Sequence, residues 1–174
     1  MRTPRAVFAV LLLGAGLAGC GNGPAPRAWA SSVCEALGPW RAEIGGLTAR
    51  TGQQMTARTT PAQAKENLVR LFGGAQAASE TARRQVEAAG VPDATDGERV
   101  ARGFVDALTA VRDAYGRART AIEALDTARA EEFYDGVTTA LATLDDEYAR
   151  SALDTSKLDS PELQRAFDEV PECQ

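Results

Sequence analysis

At 174 residues with a formal net charge of −5, the chain suits one domain and lacks the basic surface that nucleic acid or anionic lipid needs. It contains no histidine, which removes Ser-His-Asp and Cys-His catalysis, most zinc sites and the Glu-x-x-His pattern of di-iron bundles. Its basic residues are almost all arginine, with Lys65 and Lys157 the only lysines.

The N-terminus opens with Arg2 and Arg5, then an apolar run from Ala6 to Leu17 and the sequence Leu17-Ala18-Gly19-Cys20. A basic start, small residues at a cut site and an apolar stretch shorter than the ~20 residues of a membrane span predict a secretory signal. Gly14, Gly16 and Gly19 break the run further, and Arg2 and Arg5 are not adjacent, so no twin-arginine signal is present. Leu17-Ala18-Gly19-Cys20 resembles the lipobox of bacterial lipoproteins, a resemblance confined to residues 1–20. It implies cleavage before Cys20, lipidation of its sulfur with palmitate-type acyl chains, and an exported protein anchored to the outer face of the cell membrane. Loss of Arg2 and Arg5 would leave the mature chain more acidic. Gly21-Asn22-Gly23-Pro24-Ala25-Pro26 forms no regular element and reads as a tether. The organisation expected is a signal peptide over 1–19, a tether over 20–27 and one helical domain over 28–174.

Four segments carry mainly apolar residues at steps of four and three. The first is Val33, Leu37, Trp40, Ile44 and Leu47, and the second Leu68, Phe72, Ala75, Ser79, Ala82 and Val86. The third is Val100, Phe104, Leu108, Val111, Tyr115, Ala118, Ile122 and Leu125; the fourth is Phe133, Val137, Leu141, Leu144 and Tyr148. This spacing puts each set on one stripe of a helix, and no segment alternates with the period of a strand.

Punctuation agrees with the periodicity. Thr60-Pro61-Ala62-Gln63 predicts a capping box with proline at the first helical position, and Thr95-Asp96-Gly97-Glu98 and Ser32-Val33-Cys34-Glu35 repeat the box pattern. Gly90-Val91-Pro92-Asp93 stops the second helix; Asp126-Thr127 offers a cap for the fourth, where Glu131 and Glu132 suit the positive end of the dipole. Ser160-Pro161-Glu162 starts a short last helix that Pro171 ends. Gly38-Pro39 either kinks the first helix or divides it, since Pro39 has no N–H for the ladder. Gly45-Gly46 and Gly73-Gly74 indicate close helix contact or a hinge.

These segments predict an all-α fold: an antiparallel four-helix bundle with a short C-terminal helix and termini tied by one disulfide. With Cys20 lipidated, Cys34 and Cys173 remain as an even pair in an oxidising compartment. An antiparallel bundle brings the Cys173 segment back towards Cys34. The alternative is a redox-active pair, although such pairs usually sit close in sequence beside an activating base, and Cys34 has Glu35 as its neighbour.

Candidate binding residues are few. Glu131, Glu132 and Asp135, and Asp145, Asp146 and Glu147, form two acidic groups, with Glu131 and Asp135 on one helix face. Neither has the glycine and alternating ligands of a calcium loop, so they read as solvated faces and no metal or cofactor is expected. Arg83, Arg84, Arg117 and Arg119 are expected to pair with Glu80, Glu87, Asp113 and Glu123. Trp29 either rests at the membrane interface or caps the end of the bundle. Trp40, Phe72, Phe104, Tyr115, Phe133 and Tyr148 are expected in the core. No Gly-x-Ser-x-Gly or phosphate loop is present. The expected role is a non-enzymatic, lipid-anchored envelope protein that binds another envelope protein. The alternatives are a small-molecule or metal receptor using the space between helices, and third a carboxylate- or cysteine-based enzyme.

Overall fold

In the computed structural model the residues described are 23–151 and 158–174. The segment 1–19 expected as a signal peptide, Cys20 expected to carry lipid, and residues 21–22 of the expected tether lie outside them. The chain forms α1 (Pro26–Gln54), α2 (Pro61–Ala88), α3 (Gly97–Ala124), α4 (Ala130–Ser151), α5 (Pro161–Glu169) and a single 3-10 turn at Pro171–Cys173. No strand occurs among the described residues. Short turns fold the four long helices into an antiparallel bundle, with the largest interface between α2 and α3, followed by α1–α2 and α3–α4.

The helix starts follow their sequence signals unevenly. At α2 the expected box forms in both directions: Thr60 Oγ1 accepts from the Gln63 N–H at 3.3 Å, and Gln63 Oε1 accepts from the Thr60 N–H at 3.0 Å. At α3 the expected Thr95 box does not form. Asp96 precedes the helix instead, in the left-handed region at φ 60° and with no side-chain cap. The turn is set by a close backbone approach, since a Cβ at Gly97 would lie 2.3 Å from the Pro92 carbonyl oxygen. Aspartate tolerates the left-handed geometry that this helix start demands. Ser32 is no cap either: Pro26 starts α1 earlier, and the Ser32 hydroxyl donates to the Ala28 carbonyl inside the helix. Asp126 accepts from the Ala128 N–H at 2.7 Å, a local turn ahead of α4 rather than its cap. Ser160 caps α5 as expected, accepting from the Leu163 N–H.

α1 runs unbroken through Pro39, which removes the reading of two separate helices. Pro39 lies on the exposed side. On either side of it, Leu37 is buried and the Trp40 indole N–H donates to Ser79 Oγ of α2 at 3.0 Å. Ser79 in turn donates to the Ala75 carbonyl at 2.8 Å, so this buried hydroxyl is satisfied twice. Gly74 shows the close contact expected of the glycine pairs: a Cβ there would lie 2.9 Å from the Leu47 methyls of α1.

The core divides into two clusters bridged by Trp40. One joins Trp29, Val33 and Leu37 of α1 to Val86 of α2, Val100, Phe104 and Leu108 of α3, and Leu163, Phe167 and Val170 near the C-terminus. The other joins Leu68 and Phe72 of α2 to Val111, Tyr115 and Ile122 of α3 and Phe133, Val137 and Ala140 of α4. The C-terminal segment does return to the start of α1, but α5 makes that contact. α1 and α4 share no interface comparable with the others among the described residues. The fourth position of the bundle is thus divided lengthwise, with α5 at one end and α4 at the other.

Candidate functional site

The closed end of the bundle is built around α1 residues Trp29 to Leu37. Pro26 at the first helical position directs Trp29 inwards, where it is fully buried and its indole N–H donates to the Gly90 carbonyl at 2.9 Å. Its ring meets Phe104 and Phe167 edge-on, at 5.5 and 5.8 Å between centroids. Such geometry adds to simple area burial. Trp29 therefore caps the bundle and does not face a membrane. Beside it Cys34 and Cys173 are joined, with Cα atoms 5.1 Å apart. Cys34 is almost fully buried, consistent with a structural bond. Pro26 and Arg27, expected in the tether, belong to α1, and the Asp93 N–H donates to the Pro24 carbonyl at 2.9 Å. The chain is held against the α2–α3 turn from this point onwards.

The arginines sit in ion pairs, largely with the expected partners. Glu80 accepts from Arg83 at 2.9 Å and from Arg112 at 2.9 Å, with Arg84 at 3.1 Å. Hydrogen bonds from Arg83 and then Arg112 lower the Glu80 carboxyl to about 2 and raise both guanidiniums. Arg83 also reaches Glu87, and Arg119 pairs with Glu123. Two expectations change. Arg117 bonds Glu147 of α4 through two nitrogens rather than Asp113, and Asp113 is taken by Arg112. These arginines are balanced by neighbouring carboxylates. No group of three or more candidate metal ligands occurs among the described residues.

α4 departs most from the expected stripe. Phe133, Val137 and Ala140 are buried and Leu144 is half-buried, whereas Leu141 and Tyr148 are exposed. The buried face therefore runs through Ala140 instead of Leu141. Tyr134, Leu141 and Tyr148 remain 40, 41 and 39 % exposed, and with Val91 they are the exposed large apolar residues of the described chain. They are spaced by sevens, so at about 100° per residue they stay within roughly 40° of each other and form one stripe about 21 Å long. On the other flank of α4 a groove of about 380 Å³ runs against α3, between Arg117, Ala118 and Ala121 and Gly136, Ala140 and Glu147. The Arg117–Glu147 pair stands among its lining residues. Deeper in that cluster, burial pushes the Tyr115 hydroxyl up to about 12, helped by Tyr148 nearby.

Sequence reasoning placed Leu141 and Tyr148 in the core and left Tyr134 unassigned. The signal was present: one set of apolar residues spaced by sevens (134, 141, 148) runs beside a second set (133, 137, 140, 144) on a single helix. A helix wide enough to bury only one of them leaves the other outside.

The chain is thus an antiparallel helical bundle, stapled at one end and carrying a partly exposed apolar stripe towards the other. No family model, curated protein or solved structure matches it.

Proposed function

We propose that this is a lipid-anchored protein of the cell envelope that acts by binding another protein, not by catalysis. Anchoring rests on the lipobox-like Leu17-Ala18-Gly19-Cys20. The single observation that carries the binding role is the stripe of Tyr134, Leu141 and Tyr148, a row of large apolar side chains, each about two-fifths exposed, that a partner could cover. The two features fit one arrangement. Cys20 is three residues from Gly23, about 10 Å of chain at most, so lipid on Cys20 keeps the stapled end at the membrane. α3 then carries the start of α4 about 40 Å along the bundle, with Tyr134 at the far end and Tyr148 nearer the middle.

In-cell crosslinking followed by purification from the membrane fraction tests this, comparing wild type with Cys20→Ala. The expected result is one envelope protein enriched only with the anchored form. Retention of Cys20→Ala in the membrane fraction would overturn the anchor, and an anchored protein without a specific partner would overturn the binding role.

A further inference from the structure

The charge around the stripe specifies what covers it. We propose that Tyr134, Leu141 and Tyr148 receive a basic amphipathic helix of the partner protein, one with apolar residues at heptad spacing and Lys or Arg along one edge; this rests on the protein-binding reading above. Spacing by sevens on a 3.6-residue helix drifts about 20° per heptad, which is the path followed by a second helix crossing at a shallow left-handed angle. The stripe's length of about four turns suits such a helix.

Around the outer edge, roughly 40–120° from Leu141, stand Asp145, Glu131 and Asp135. All three are exposed, and none has an ion-pair partner among the described residues. Glu132 and Glu147 on the other side of α4 are neutralised by Arg129 and Arg117, whereas the carboxylates beside the stripe keep their charge unopposed. The outer edge of α4 has no arginine or lysine. Arg150, the one basic residue of α4, lies on the opposite side, where its Nε donates to the Asp146 carbonyl.

That distribution separates the possible occupants. A second copy would oppose one acidic edge with another, and anionic lipid would repel it, whereas a cationic edge supplies counter-charges to carboxylates that lack them. The apolar stripe supplies the contact area and the acids select the partner's sign.

The test places the photo-crosslinking residue p-benzoylphenylalanine at Leu141 in the full chain in cells, with Ala110 on the exposed side of α3 as a second position. Crosslinked peptides are then sequenced by mass spectrometry. The expected product from position 141 is a peptide of another protein with apolar residues spaced by sevens and net positive charge. Its yield should fall about tenfold in an Asp135→Lys/Asp145→Lys background, with the helical circular dichroism and melting temperature unchanged because both sites are exposed. A product at 141 that is this chain, a lipid, or an acidic or neutral segment overturns the proposal. So does a yield indifferent to charge reversal. Protein crosslinks from position 110 alone overturn it while leaving the binding role intact; none from either position overturns both.

Discussion

Removing the Cys34–Cys173 bond is expected to cost most of what the loop it closes imposes on the unfolded chain. The two cysteines are 139 residues apart, and the chain-entropy relation for a ring of that size gives about 5 kcal/mol. The folded state loses little in exchange, since Leu163, Phe167 and Val170 still bury themselves against Trp29 and Phe104 without the bond. The effect therefore acts chiefly through the unfolded ensemble. Cys34→Ala/Cys173→Ala is the suitable perturbation, because it leaves no thiol in a nearly closed site. Urea unfolding followed by tryptophan fluorescence reports it directly, with Trp29 buried in the stapled cluster. The midpoint should fall to match a loss of about 5 kcal/mol, and the slope should rise because an unlinked chain exposes more surface. A loss below about 1 kcal/mol would refute the reasoning, since the C-terminal helix would then be held by packing alone. Hydrogen exchange should place the first opening of the variant at α5 and the last turn, not at α2 or α3.

Two further outcomes follow from packing. In an absorbance titration near 295 nm, one of the three tyrosines should ionise near pH 12, and Tyr115→Phe should remove that step. Because Tyr115 is raised in the fold from about 10 to about 12, its contribution to stability is complete below pH 10 and is lost as pH rises from 10 to 12, which alkaline unfolding should show. Gly45→Ala should raise stability by about 1 kcal/mol, as its helical position opens onto free space, while Gly74→Ala should gain less or lose because its Cβ meets Leu47 at 2.9 Å. Thermal melts of the two variants check this pair, and equal gains would refute the close contact.

Helix spacing and turn chemistry are local properties, so most of the architecture was legible from them. The four apolar stripes, the Thr60 box, the Ser160 start and the cysteine pairing all rest on contacts within a few residues, or on the requirement that an antiparallel bundle return its end to its beginning. The misread caps turned on how the preceding turn or helix start was already set. Thr95 failed as a cap because Pro92 crowds Gly97 across the turn, and Ser32 failed because Pro26 had already started the helix. Trp29 was ambiguous by itself. Only the Gly90 carbonyl and the rings of Phe104 and Phe167 determine that it points inwards.

The stripe on α4 shows the division most clearly. The sequence by itself determined that α4 is an amphipathic helix with more large apolar residues than one face can bury, because periodicity is inherent in the order of residues. Which of them would be covered depended on the neighbours. α3 packs along one side of α4, α5 rather than α4 fills the space beside the start of α1, and Tyr134, Leu141 and Tyr148 are left partly exposed. Burial is a property of what packs on a surface, and that is set by the tertiary arrangement of distant segments, not by the helix that bears the residues.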